Sequence, residues 1–190
     1  MDAATLTFPL LTERLNLRPY AEGDFEDYSA YYSRDDVTTY LYSSPGNEQK
    51  LREAFAKRRM EKVWRADAPL VLAAERKGDK RVIGEVILMW SNQEQQEGEL
   101  GFVFHPDVYG QGYAREASLA ILELGFRTFG LHRIIGRCDA RNTASYTLMA
   151  RLGMRREAHF IDNEYVKGEW TSELVYAMLG REWQEIQGQR

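Results

Sequence analysis

The chain has 190 residues, 44% of them hydrophobic and 28% charged, with a formal net charge of -4. That supports one domain with a sizeable core and excludes a disordered or fibrous chain. The acidic balance argues against a general nucleic-acid or anionic-membrane surface, no apolar run approaches the ~20 residues of a membrane helix, and the lone Cys138 excludes an internal disulfide.

The first residues show no basic region followed by an apolar core, with Asp2 and Glu13 early, so a cytoplasmic protein is expected. Residues 11–18 alternate Arg14, Asn16 and Arg18 with Leu15 and Leu17, the pattern of a strand that stops at Pro19. Asp24 is placed to cap a helix running to about Tyr32, and a second helix is expected over residues 47–65, with Leu51, Ala54 and Phe55 on its apolar side. The loop between them, residues 33–46, holds Asp35, Asp36, Tyr40 and Tyr42 just after Tyr31 and Tyr32. It is a candidate binding-site wall, against the plainer reading that its tyrosines cover the core edge and its aspartates face water. Residues 69–76 and 81–90 are apolar runs around Lys77-Gly78-Asp79-Lys80, which predicts a hairpin.

A polar loop over residues 91–98 leads to a strand in which Leu100, Phe102 and Phe104 alternate with Glu99, Gly101 and Val103, closed by Pro106. The chain then turns through Tyr109-Gly110-Gln111-Gly112-Tyr113-Ala114 into a helix, where Ala114, Ser118, Ile121, Leu122, Gly125 and Phe129 recur at helical spacing. A helix start carries unpaired N–H groups and partial positive charge, which suits an anion, and Gly110 and Gly112 let a ligand approach the backbone closely. The Lys-Ser/Thr of a P-loop and the third glycine of a dinucleotide fingerprint are both missing. Without further support a Gly-x-Gly at this position is ordinary turn chemistry.

Residues 132–138 read as a strand and 142–152 as a helix closed by Gly153; residues 154–162 and 170–179 read as a hairpin joined by 163–169, before a short helix near Trp183. The order is strand, two helices, three strands, helix, strand, helix and two strands, which fits one α/β domain over residues 1–190 with a sheet of mixed direction. His105, His132 and His159 have no metal-like spacing with each other or with Cys138, so no metal is expected.

Residues 109–114 resemble the pyrophosphate loop of the GNAT superfamily of acetyl-CoA-dependent N-acetyltransferases. Their aromatic first residue resembles the RimJ/RimL-like branch, the ribosomal-protein N-terminal acetyltransferases and relatives. Thr12-Glu-Arg-Leu-Asn-Leu-Arg-Pro19 resembles that branch's opening strand, and Asn142-Thr-Ala-Ser145 through Gly153-Met154 resembles the family's second signature. With the ending over residues 170–178, the resemblance covers nearly the whole chain. It implies the GNAT fold, an α/β (α+β) domain with a mixed, mostly antiparallel central sheet of about seven strands flanked by helices.

The resemblance also implies acetyl-CoA as cofactor. It would be held by the backbone of Gly110, Gln111, Gly112, Tyr113, Ala114 and Arg115, by strand amides near Val103 and Phe104, and by Asn142 on the pantetheine arm. Asn142 also suits a helix N-cap, and both roles are expected at once. Glu99 matches the glutamate that such enzymes often use as base, and its plainer reading is a solvated strand end. Met149 stands where many carry a tyrosine as general acid, so Ser145, near the expected thioester sulfur, is ranked before Tyr146 as the replacement. The expected activity is acetyl transfer from acetyl-CoA to a primary amine, on a protein N-terminus, a polyamine or a small molecule, by direct attack in a ternary complex. Cys138 reads as a structural thiol rather than an acetyl carrier. The alternatives are a catalytically silent acyl-CoA-binding module, motivated by Met149, and a scaffold that binds no CoA. The last hairpin, with Trp170 and Tyr176, offers a surface on which a homodimer could form.

Overall fold

The apolar run at residues 70–74 sets the architecture. All five residues are buried, Leu70, Leu72 and Ala74 in one core and Val71 and Ala73 in another, so the strand that carries them must be covered on both faces. In the computed structural model, which describes residues 6–60 and 68–188, it is.

In chain order the elements are β1 (Leu10–Leu11), β2 (Leu15–Arg18), α1 (Phe25–Tyr32), α2 (Asp35–Thr38), α3 (Glu48–Met60), β3 (Leu70–Arg76), β4 (Val82–Asn92) and β5 (Glu97–Phe104). They continue as α4 (Tyr113–Glu123), β6 (Arg133–Asp139), α5 (Thr143–Arg151), β7 (Arg155–Val166), β8 (Glu169–Leu179) and α6 (Gly180–Gly188). Among the described residues eight strands form one sheet in the order β1-β2-β3-β4-β5-β6-β8-β7, antiparallel throughout except between β5 and β6. One core gathers Leu100, Ile121, Leu122, Ile134, Met149 and Trp183 against the sheet, and the other gathers Tyr20, Tyr28, Tyr31, Tyr32, Leu51 and Phe55.

Several expectations shift. The single strand over residues 11–18 is two strands, because Thr12 accepts the N–H of Leu15 and turns the chain back on itself. Asp24 does not cap α1. Its carboxylate accepts the Ala21 N–H at 2.7 Å and two bonds from Arg18, so it closes the 3-10 turn Glu22–Asp24. The loop over residues 33–46 contains α2, and residues 61–65 of the expected second helix lie outside the described residues. Pairing of Asn92 with Glu97 shrinks the loop over 91–98 to residues 93–96, and pairing of Val166 with Glu169 shrinks the last turn to residues 167–168. The helix after Gly112 loosens at Leu124–Thr128 into a π turn. Tyr176 packs in the core while Trp170 is exposed, so only Trp170 is available to a surface.

The second core holds a charge that the sequence does not announce. Glu85 on β4 has no exposure and accepts from Tyr32 Oη at 2.6 Å, Tyr20 Oη at 2.8 Å and Arg58 Nε at 3.2 Å. Burial, with the Glu85 charge beside them, pushes the Tyr20, Tyr31 and Tyr32 hydroxyls well above the ordinary phenol range, so all three stay neutral donors. Removing the carboxylate takes away the acceptor that the two buried tyrosine hydroxyls share and one of the contacts of Arg58. Glu85→Ala is expected to lower unfolding free energy by about 3–5 kcal/mol, read from urea denaturation.

Candidate active site

β5 and β6 pair only over residues 97–99 and 133–135, after which they diverge. Beyond that point β5 stays with β4 as far as Phe104, and β6 stays with β8 over its full length. The side to which each β5 peptide points follows from strand alternation. His105 N–H donates to Ile83 across on β4, and the Val103 carbonyl lies 2.5 Å from where a Cβ on Gly84 would stand. The Leu100 carbonyl instead faces Gly136 on β6. Alternation therefore turns the peptide groups of Phe102 and Phe104 into the gap. Of the two strand amides singled out in the sequence, that of Phe104 faces the gap, while Val103 turns its peptide toward β4 and contributes to the cavity wall.

A cavity of about 250 Å³ occupies the divergence. It brings together Glu99 and Val103 of β5, Cys138 of β6, and Asn142, Ser145 and Met149 at the start of α5. Asn142 caps α5, its Oδ1 accepting the Ser145 N–H at 3.1 Å, and its Nδ2 has no partner among the described residues. Ser145 and Met149, four residues apart, share the helix face toward the cavity. Tyr146 lies off that face, with its hydroxyl on Thr143 Oγ1 at 3.2 Å. A larger groove of about 660 Å³ lies between α1 and α3 among Glu22, Glu26, Ser29 and Arg52, and none of the motif residues line it.

Glu99 is not a free strand end. Both its oxygens lie 3.1 Å from Arg137 Nε, and Arg137 also reaches to 3.6 Å from Glu173 on β8. Burial raises the Glu173 carboxyl above its ordinary range; Arg137 opposes this, and the Glu164 and Glu99 charges add to it. The far wall joins distant segments. Tyr42 Oη donates to Glu164 at 2.7 Å, and Lys167 Nζ donates to the Thr38 carbonyl at 2.5 Å. Burial pushes the Cys138 thiol up to about 12, Asp139 and Glu173 adding to it, so it stays protonated near neutral pH. Tyr40 and Tyr42, from the loop read in the sequence as a candidate wall, line the cavity, whereas Arg137, Glu164 and Lys167 were not singled out, the available signal being Arg137 interrupting an apolar strand.

The glycine loop lies outside the cavity lining, beyond the C-terminal end of β5. Gly110 and Gly112 take φ of 74° and 83°, and Gly112 is the N-cap of α4. The next three amides, Tyr113, Ala114 and Arg115, stand in the first turn, where no intrahelical acceptor exists. Gln111 folds its side chain back, Nε2 donating to the Asp107 carbonyl at 2.8 Å, and Arg115 Nε reaches the Arg151 carbonyl at 3.4 Å. Positive-φ glycines with outward N–H groups at a helix start fit a pyrophosphate. Among the described residues no group of three or more His, Cys, Asp or Glu side chains is placed to hold a metal ion, and no helix is long and apolar enough to cross a membrane.

Residues 14–155, which span the diverging strands β5 and β6 and the helix start beside each, match the acetyltransferase (GNAT) domain family. The chain belongs to that family, whose members use acetyl-CoA. It is 32% identical over 174 residues to an uncharacterized N-acetyltransferase, YnaD, of Bacillus subtilis, a match covering 92% of this chain and 98% of the relative. A GNAT-family acetyltransferase from Bacillus anthracis superposes with TM-score 0.83 at 32% identity, over 93% of this chain and 100% of that one. The fold is also that of a spermidine N-acetyltransferase from Vibrio cholerae in complex with CoA and spermine, with TM-score 0.75 at 20% identity, covering 90% and 98% of the two chains.

The buried Glu173 gives a pH signature. Its folded-state carboxyl is raised, so its contribution to stability is full below the unfolded value, near 4.5, and is lost as pH rises through the folded value. Glu173→Gln never carries that charge. Its melting temperature relative to the natural chain is therefore expected to climb from pH 4 to pH 8, with no difference at the acid end.

Proposed function

We propose that the gap between β5 and β6 receives the pantetheine arm of acetyl-CoA and that the enzyme passes the acetyl group directly to a primary amine. The observation that carries this reading is the pair of β5 peptides, Phe102 and Phe104, facing a gap with no strand opposite them, between the glycine loop and the start of α5. Acetyl-CoA supplies the acetyl group as a thioester. Gly110, Gly112, Tyr113, Ala114 and Arg115 hold its pyrophosphate through backbone N–H groups, each such charge-assisted bond contributing about 1.5–3 kcal/mol, while Gln111, whose own N–H donates to the Val108 carbonyl at 3.4 Å, shapes the turn between the glycines. The Phe104 amide and Asn142 Nδ2 hold the arm, with Val103 as a wall. Ser145 donates to the sulfur side, and Glu99, oriented by Arg137, receives the proton of the amine.

The worth of Glu99 depends on the acceptor. An amine of pKa near 10.4 costs roughly 4–5 kcal/mol to deprotonate at pH 7, and an α-amine near 8 only about 1 kcal/mol. The cavity wall mixes the carboxylates Glu99, Asp139, Glu164 and Glu169 with Arg137, Arg141 and Lys167, a small acidic excess that suits an amine acceptor, whether a protein N-terminus, a polyamine or a small-molecule amine. The Tyr109-Gly-Gln-Gly-Tyr-Ala loop and the opening strand support the RimJ/RimL-like branch. A second reading, a silent acyl-CoA-binding module, draws on Met149, which puts a buried thioether toward the cavity at the usual position of the acid.

Calorimetric titration of acetyl-CoA tests the placement: the natural chain should bind, and Gly112→Asp, which sets a carboxylate at the loop, should not. Turnover on an amine panel then separates the two readings, since the silent module binds without turnover. Cys138→Ala should keep its activity, whereas Glu99→Gln should lose about 10²–10⁴-fold on an amine of high pKa and little on an α-amine.

A further inference from the structure

Arg14 stands in the turn between β1 and β2, far in sequence from the glycine loop, and is fastened to it from several sides. The Glu116 carboxylate on α4 accepts Thr12 Oγ1 at 2.5 Å, the Arg14 N–H at 2.7 Å and Arg14 Nε at 2.7 Å. With Nε held, the guanidinium lies 4.3 Å over the Tyr113 ring, and its Nη1 donates to the Gln111 carbonyl at 2.9 Å. Its Nη2 has no hydrogen-bond partner among the described residues and lies 3.3 Å from where a Cβ on Gly112 would stand.

The bond to Gln111 has a geometric consequence. In a trans peptide the C=O of one residue and the N–H of the next lie in a shared plane and point in opposite directions. Holding the Gln111 carbonyl on the Arg14 side therefore turns the Gly112 N–H to the other side, the orientation a Gly at positive φ leaves free to choose.

We propose that Arg14 is a positioning residue for the pyrophosphate loop: through the Gln111 carbonyl it sets the peptide plane that presents the Gly112 N–H, and Glu116 holds Arg14 in place to do so. This rests on the reading that acetyl-CoA binds at this loop. A guanidinium acting only as a nearby charge makes the opposite forecast for Glu116, since deleting a carboxylate beside an anion site then strengthens binding.

The test is calorimetric titration of acetyl-CoA into the natural chain, Arg14→Gln, Arg14→Lys and Glu116→Gln, with circular dichroism melts of each apo protein. The expected result is affinity about tenfold weaker for Arg14→Gln, the scale of one charge-assisted contact. Lysine, which keeps the charge and loses the fork, should recover little of it, and Glu116→Gln should also bind more weakly although it removes a negative charge. Should Arg14→Gln not fold, the lysine and Glu116 variants decide the matter. Unchanged or tighter binding by Glu116→Gln, full recovery by lysine, or natural affinity in Arg14→Gln overturns the proposal. No binding by the natural chain overturns the acetyl-CoA reading itself.

Discussion

The parallel ladder between β5 and β6 ends after residues 99 and 135, and the site depends on that ending. Each strand keeps an antiparallel partner on its outer side, so β5 follows β4 and β6 follows β8, and the accumulated twist carries the two halves apart. Peptide groups that lose a strand neighbour need another partner, from water or a ligand. The fold therefore builds a row of donors and acceptors by leaving a sheet unfinished, and it sets a helix start beside each half, α4 after β5 and α5 after β6.

Where the hydrogen-bond ladder stops, side-chain charges take over. Glu99 belongs to β5, Arg137 to β6 and Glu173 to β8, and the contact of Glu99 with Arg137 crosses the divergence while Arg137 also reaches Glu173 on its own side. Arg137 thus ties the halves together at the mouth of the cavity, while Met149 of α5 packs against Gly136 and fills the space behind it. The arrangement keeps a carboxylate at the gap with its orientation fixed from the opposite strand. Further along β4, on the same side of the sheet as Glu99, Glu85 is satisfied by two tyrosines and an arginine, so the second core is polar at its centre.

Much of this was legible in the sequence, for identifiable reasons. Strict alternation in residues 99–104 and helical spacing after Gly112 report burial on one side, and burial is what strands and helices here share with their patterns. Asn142 and Gly153 mark the ends of α5 because caps are local chemistry. Asp24 misled because its carboxylate serves Arg18 and Ala21 instead of α1, a choice made by tertiary contact. Residues 163–166 and 92 looked like polar loop because edge and hairpin strands need not be apolar on either face. The clamp of Thr12, Arg14 and Glu116 and the pair of Glu99 with Arg137 were hidden for another reason: each joins segments far apart in the chain, and nothing local specifies the partner.

The far wall of the cavity is sewn from two such segments. Tyr42 holds Glu164, and Lys167 holds the carbonyl at the end of α2, 129 positions away in the chain. The shape of this wall is consequently not a property of a loop that can be transplanted by itself. An exchange between relatives must carry residues 38–42 and 164–169 as one unit, since either half moved alone arrives without the groups that hold it shut.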